Sequence, residues 1–393
     1  MPDLIRNHIS FKQTNHDRRW SDGYMKIEML DLSKQYEILK EEILIKLDEV
    51  MSSTQFILGD NVKKIECDIA TYSNVNNGIG VGNGSDAIHI ALQAAGVGEG
   101  DDVITTAFTF FATGGAIVRA GATPVFVDID PITFNIDPSK IEAAVTEKTK
   151  AIIPVHLYGQ MADMEAIKET ADRHNLVIIE DAAQAIGSKQ NGKTVGELST
   201  AATYSFFPTK NLGAYGDGGM IVTNDKELAE KARVIRVHGS KPKYYHHVLG
   251  YNSRLDEMQA AILNVKFPYL DEWSDKRRER AAIYTVLLNE KLANIVQIPV
   301  EKEGNYHVYH QYTLRVPKRD ELQAYLEELG IATMIYYPMP LHVQPVFKYL
   351  GYRKGDLLET EKAAKEALSL PMYPELSREH QEYIVNMIAD FYI

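Results

Sequence analysis

Between residues 78 and 225, short apolar runs alternate with stretches whose apolar positions recur every three or four residues. The runs Gly78–Val81, Asp102–Thr106, Thr123–Asp128, Lys150–Val155, Leu176–Glu180, Ala202–Phe206 and Met220–Thr223 predict strands. The stretches Asp86–Ala95, Phe111–Ala120, Ser139–Val145, Met164–His174 and Lys226–Val237 predict helices. Strands alternating with helices predict an α/β fold: a mostly parallel seven-stranded sheet with helices on both faces. Upstream, Ile38, Leu39, Ile43, Leu44 and Leu47 recur at helical spacing and predict an amphipathic helix over Leu32–Val50. Beyond residue 255 the pattern turns helical (Asp256–Leu270, Trp273–Leu292), then gives a strand at Tyr309–Val316 and a helix at Asp320–Leu329. The chain therefore divides into an N-terminal extension (1–24), a large domain (25–265) and a smaller α+β domain (266–393). The extension is polar and without period; the regular sequence opens at Met25, a second methionine.

Composition narrows the function. Of 393 residues, 45% are hydrophobic and 24% charged, as in ordinary globular chains, and the net charge of -12 argues against nucleic acid as a partner. No apolar run is long enough to span a bilayer, and the N-terminus has no apolar signal core. The single cysteine, Cys67, excludes an intrachain disulfide and fits a reducing, cytoplasmic setting. Its place in the helical pattern Val62–Ala70 predicts a packed small hydrophobe. His246 and His247 are adjacent, which splays their rings apart, and no H-x-x-x-H or C-x-x-C occurs, so no metal is expected.

Three segments could carry chemistry. Gly82–Ala87 matches the dinucleotide-binding pattern G-x-G-x-x-A, but the acids that follow, Asp101 and Asp102, precede a strand instead of ending one, which argues against a nicotinamide site. The same glycines lead into a helix, where N–H groups and the Ser85 hydroxyl either meet a single phosphate or simply cap the helix. Asp181 ends the strand Leu176–Glu180, where it either caps the next helix or meets a ligand at the carboxyl edge of the sheet. Lys210 stands in the glycine-rich turn Tyr204–Gly219, with Ser205 five residues upstream. It is either a solvated lysine or an amine able to hold an aldehyde as a Schiff base.

Together, Glu180-Asp-Ala-Ala-Gln184, Ser205-Phe-Phe-Pro-Thr-Lys-Asn-Leu-Gly213, Gly216-Asp-Gly-Gly219 and Gly250-Tyr-Asn-Ser-Arg-Leu-Asp256 resemble the DegT/DnrJ/EryC1/StrS family of sugar aminotransferases, over roughly residues 25–393. The resemblance implies a fold-type I enzyme using pyridoxal 5'-phosphate. Lys210 would hold the cofactor aldehyde, Asp181 the pyridine nitrogen and Gln184 the ring oxygen. Phe110 and Ala183 would cover the two ring faces, and Gly84, Ser85 and Ser205 would hold the phosphate. Asn252 would reach the phosphate from the neighbouring subunit, which implies a homodimer. Some family members carry histidine in place of the lysine and are dehydratases; Lys210 favours transamination, because imidazole cannot form a reusable Schiff base.

The resemblance further implies that L-glutamate gives the amino group and leaves as 2-oxoglutarate. The acceptor would be a keto group on a dTDP- or UDP-linked sugar, feeding glycan or cell-envelope synthesis. The loop His238–His247 is similar to family loops near the sugar, which makes Lys243 and Tyr245 substrate candidates and favours C3 over C4 amination. In Ile335–His342, Tyr336 stands where many relatives carry histidine; Tyr337, His342 and His310 are further candidates. A cofactor-binding regulator without turnover is the alternative of another class. No helix-turn-helix beside a basic patch supports DNA binding.

Overall fold

The structure, a computed structural model, describes residues 25–392; the N-terminal extension 1–24 lies outside the described residues. Its elements run α1 (Ser33–Ser53), α2 (Asp60–Tyr72), β1 (Asn77–Val81), α3 (Gly84–Ala94), β2 (Asp102–Thr106), α4 (Phe111–Arg119), β3 (Thr123–Val127), β4 (Thr149–Ile153), α5 (Met164–His174) and β5 (Val177–Asp181). There follow β6 (Lys189–Gln190), β7 (Lys193–Thr194), β8 (Ala201–Ser205), β9 (Gly219–Thr223), α6 (Lys226–Ile235), α7 (Glu257–Lys266) and α8 (Leu270–Leu292). The chain closes with β10 (Asn305–Tyr306), β11 (Tyr312–Arg315), α9 (Arg319–Glu328), α10 (Leu358–Glu366), β12 (Ala367–Leu370) and α11 (Arg378–Tyr392).

All seven strands read from the sequence form one sheet, in the order β1-β9-β8-β5-β4-β2-β3. Only β9 runs against its neighbours, β1 and β8; the other pairs are parallel. Their continuous burial follows from helices on both faces. On one face Ile65 and Ile69 of α2, Ile167 of α5 and Leu263 of α7 pack under Ile104, Ile152 and Val222. On the other, Ile88 and Leu92 of α3, Ile117 of α4 and Leu228 of α6 pack on Ile79, Ile153 and Ile221.

A second core gathers Tyr284 and Leu288 of α8, Leu314 of β11, Leu368 of β12, Leu322 and Leu326 of α9, and Ile384 and Ile388 of α11. Ile27 joins this core and bridges Ile331 in parallel. The early segment thus returns to pack with residues far along the chain.

Several local expectations are corrected. The helix expected at Ser139–Val145 is two 3-10 turns, Pro138–Lys140 and Glu142–Ala144. Asp137 Oδ1 caps the first by accepting the Ser139 N–H at 3.0 Å, and Val145 is already extended. The strand expected from Tyr309 begins at Tyr312, because Tyr309 has φ 42° and cannot continue a pleat. A 3-10 turn, Phe267–Tyr269, separates α7 from α8, so the expected helix does not run to Leu270. Cys67 is exposed, since Ile65 and Ile69 take the buried stripe of α2. In α1 the stripe is narrower than the sequence suggests: Leu39 and Ile43 are buried, while Ile38 is 74% exposed.

Candidate active site

The strands β1, β2, β5 and β8 all end at one edge of the sheet, the edge where open α/β sheets take ligands. After β1, Asn83 caps α3 by accepting the Asp86 N–H at 2.8 Å. The first residue of α3 is Gly84, and a Cβ there would lie 2.6 Å from Ser205 Cβ. Glycine therefore lets α3 start close against the end of β8 without displacing Ser205. The free N–H groups of the first turn, half-buried Ser85 and Ser205 share that corner.

Asp181 ends β5 and is buried. Thr113 Oγ1 donates to its Oδ2 at 2.7 Å, and the Ala183 N–H donates to its Oδ1 at 3.2 Å. Phe110 stands directly before α4 and is 57% exposed.

Lys210 lies in the turn joining β8 to β9. The turn is closed by Phe206 N–H donating to Gly218 O, and Ala214 N–H to Phe206 O, each at 2.8 Å. Burial pushes the Lys210 amine down to about 8, while the Asp181 charge acts in the opposite direction. The amine and the carboxylate therefore feel one another, and no salt bridge joins Lys210 to Asp181 among the described residues.

Gln184 is held on both sides: its Oε1 accepts the Tyr158 N–H at 2.7 Å, and its Nε2 donates to Tyr337 OH at 3.3 Å. The Tyr158 phenol donates to the Tyr336 carbonyl, and Tyr336 and Tyr337 pack with Phe108, Phe134 and Tyr158. Tyr337 stands 6.0 Å, ring to ring, from Phe110. Burial first, then the Asp181 charge, raises the Tyr337 phenol far above its ordinary value. Asn211, next to Lys210, donates to Val308 O at 3.1 Å, so its oxygen accepts from His310 Nδ1 at 3.1 Å. Burial and the Lys210 charge hold His310 well below the ordinary histidine range, so its imidazole is neutral.

The structure thus brings together Gly84, Ser85, Phe110, Asp181, Ala183, Gln184, Ser205, Lys210, His310, Tyr336 and Tyr337. Lys243, Tyr245 and Asn252 stand apart. The first two lie on an exposed loop, with the Lys243 amine over the Tyr244 ring at 5.1 Å, and exposed Asn252 bridges Val237. His342 is buried, its Nε2 3.2 Å from Glu361 Oε1. Sequence reasoning missed Thr113, Tyr158 and Asn211. The Thr109–Thr113 spacing, one helical turn beside Phe110, was the available signal for the first. Among the described residues no group of three or more His, Cys, Asp or Glu side chains could hold a metal. No helix among them is long and apolar enough to cross a membrane.

Known proteins are similar to this chain along nearly its whole length. A Geobacillus stearothermophilus protein named "Pleiotropic regulatory protein" is 75% identical over 94% of this chain and 99% of its own length. The UDP-N-acetyl-3-dehydro-alpha-D-glucosamine 3-aminotransferase of Acidithiobacillus ferrooxidans is 46% identical over 92% of this chain and 97% of its own. The solved structure of NtdA from Bacillus subtilis with bound cofactor PMP superposes with a TM-score of 0.86 at 35% identity, covering 95% of this chain and 86% of that one. The family model described as the DegT/DnrJ/EryC1/StrS aminotransferase family matches residues 37–389, and with the sheet edge that gathers Lys210, Asp181 and Ser205, the chain belongs to that family.

Proposed function

We propose that this protein transfers an amino group from L-glutamate to the keto group of a nucleotide-linked deoxy sugar, at C3, with pyridoxal 5'-phosphate as cofactor. The observation that carries the reading is Lys210, five residues after Ser205, whose amine burial lowers to about 8 while the Asp181 charge acts to raise it. The residues fit the cofactor: a Cβ at Gly84 would close the corner with Ser205, and Phe110, 6.0 Å from Tyr337, leaves an exposed flat ring.

In this reading the free N–H groups of α3, Ser85 and Ser205 hold the phosphate. Asp181 would pair with the ring nitrogen, Gln184 with the ring oxygen, and Phe110 and Ala183 would cover the ring faces. Bound there, pyridoxal 5'-phosphate supplies an aldehyde that takes up amines and a ring that draws electrons from the carbon losing its proton. Lys210 Nζ would hold that aldehyde at rest, and as a neutral amine it would take the proton from the donor Cα. Neutral His310, tied to Asn211, keeps a second positive charge away from Lys210.

Substrate-binding roles for His310, Tyr336 and Tyr337 follow from their place beside Gln184 and Asn211. Lys243, Tyr245 and Asn252 act from the neighbouring subunit of a homodimer, and His342 serves from its pair with Glu361. A UDP-linked 3-keto sugar is supported by the name of the Acidithiobacillus ferrooxidans relative, a dTDP-linked one by relatives named dTDP-amino-sugar transaminases. The setting of the reaction is the cytoplasm.

The test has two stages. Cofactor-free protein is incubated with pyridoxal 5'-phosphate and reduced with borohydride, and the expected result is a cofactor-sized mass addition on the Lys210 peptide. The loaded protein is then given L-glutamate and a panel of dTDP- and UDP-linked 3-keto and 4-keto sugars, with 2-oxoglutarate and amino sugar as the expected products. Labelling without turnover on any member would turn the reading into that of a cofactor-binding regulator.

A further inference from the structure

We infer that Thr113 is a positioning residue for the cofactor, acting through Asp181 by a buried relay of hydroxyl groups. The inference rests on the reading of Asp181 given above.

Thr109 Oγ1 and Thr113 Oγ1 stand 3.0 Å apart, and Thr113 Oγ1 stands 2.7 Å from Asp181 Oδ2. All three residues are buried. An ionised carboxylate only accepts, so the Thr113 proton points at Asp181. The Thr113 oxygen is then left to accept, and the Thr109 proton points at Thr113. The chain of donation runs Thr109 to Thr113 to Asp181, and each bond polarises the next.

The other carboxylate oxygen takes the Ala183 N–H at 3.2 Å. Asp181 is thereby held by one donor on each oxygen, one from α4 and one from the turn after β5. Phe110 precedes the same helix that carries Thr113. One helix end therefore sets both the aromatic ring beside the cofactor and the orientation of the carboxylate that meets its nitrogen. A carboxylate free to rotate in this buried place would lose its alignment with a ring nitrogen, and the ring would lose protonation there.

The test compares Thr113→Val, Thr113→Ser and Asp181→Asn, alone and as Thr113→Val/Asp181→Asn, in the full chain. The readouts are the dissociation constant of pyridoxal 5'-phosphate and the pH titration of the bound cofactor's absorbance, with circular dichroism of the cofactor-free protein as a folding control. Thr113→Val is expected to weaken cofactor binding about 10-fold and to shift the absorbance titration, since it removes a hydrogen bond to a charged group. Thr113→Ser keeps the hydroxyl and is expected to stay within about 2-fold of the parent. In the Asp181→Asn background Thr113→Val is expected to add nothing, because the carboxylate charge that the relay orients toward the cofactor is gone. If Thr113→Val does not fold, Thr113→Ala, which also lacks the hydroxyl, must show the same loss.

Equal binding and an unchanged titration in the hydroxyl-free variant overturn the inference. So do additive losses in the double variant, which would mark a merely structural role. If Asp181→Asn itself leaves binding and titration untouched, the reading of Asp181 has failed and the inference falls with it.

Discussion

His156 Nε2 lies 2.6 Å from Glu180 Oε2, and both side chains are fully buried. The Ala162 N–H donates to His156 Nδ1 at 3.1 Å, so the ring proton is on Nε2 and points at the carboxylate. The other oxygen of Glu180 takes the Gly196 N–H at 2.8 Å and the Ser199 hydroxyl. Neighbouring residues on a strand face opposite sides of a sheet, so Glu180 anchors the end of β5 from behind while Asp181 faces the site.

Truncation of that anchor should cost stability before it costs chemistry. Glu180→Ala leaves the buried His156 and Gly196 donors unpaired, while Ser199 keeps the Ala201 carbonyl at 3.1 Å, and is expected to destabilise the cofactor-free protein by about 3 kcal/mol. Glu180→Gln retains the volume and one acceptor and is expected to cost about 1–2 kcal/mol. Urea unfolding followed by circular dichroism measures both. A Glu180→Ala protein with the parent's midpoint would show that the carboxylate carries no such load.

The Lys210 amine sets a pH dependence of a definite sign. An amine attacks an aldehyde only when neutral, and burial lowers this one to about 8. Capture of pyridoxal 5'-phosphate by the cofactor-free protein should accelerate roughly tenfold per pH unit below about 8 and level off above it. Asp181 acts to raise the amine, so Asp181→Asn should move the break to lower pH. Stopped-flow absorbance from about pH 6 to 10 reads both curves. A profile flat below about pH 8, or a break moved upward in the variant, contradicts the assignment.

The sheet was legible because its strands are buried on both faces, and such runs stand out whatever the tertiary detail. Lys210 stands out in the sequence because it lies in a glycine-rich turn five residues after Ser205, and the family resemblance points to Asp181, Gln184 and Phe110. What stayed hidden depends on contacts between segments remote in sequence. Thr113 meets Asp181 from 68 residues away, and Tyr158 meets Gln184 through a backbone N–H, which no side-chain pattern reports. The 3-10 turns at Pro138–Ala144 were read as a helix because Ile141 and Val145 keep helical spacing. Asp137 capping and the extended Val145 overrule that spacing locally.

Gly84 gives a test that separates the proposed phosphate corner from the fold. Alanine there would bring Cβ within 2.6 Å of Ser205 Cβ, so α3 or β8 must give way. The helix itself favours alanine, by about 1 kcal/mol, which offsets part of the strain. Gly84→Ala is therefore expected to fold, to lose no more than about 2 kcal/mol of stability, and to bind pyridoxal 5'-phosphate at least about 10-fold more weakly. Equilibrium dialysis measures the second effect and thermal unfolding the first. Unchanged cofactor affinity would remove this corner from the site.

Lys266 behind the Lys210 turn carries the last prediction. Its amine donates to the Gly213 carbonyl and lies 5.0 Å from the centre of the Tyr215 ring and 5.9 Å from that of Trp273. Burial lowers it from the ordinary 10.5 to about 8. Below about 8 both folded and unfolded chains keep the proton. Between about 8 and 10.5 the folded chain has shed it and the unfolded chain has not, so stability rises with pH across that window, by at most roughly 1.4 kcal/mol per pH unit for this group. Lys210 titrates in the same range, so the parent should show a steeper rise than Lys266→Met, whose side chain fills the same aromatic cage without a proton. Urea midpoints of the two cofactor-free proteins at about pH 7.5 and 9.5 give the difference. Equal slopes would mean that Lys266 keeps its proton in the fold. In that case the Gly213 carbonyl and the two rings stabilise the ammonium well enough to offset its burial.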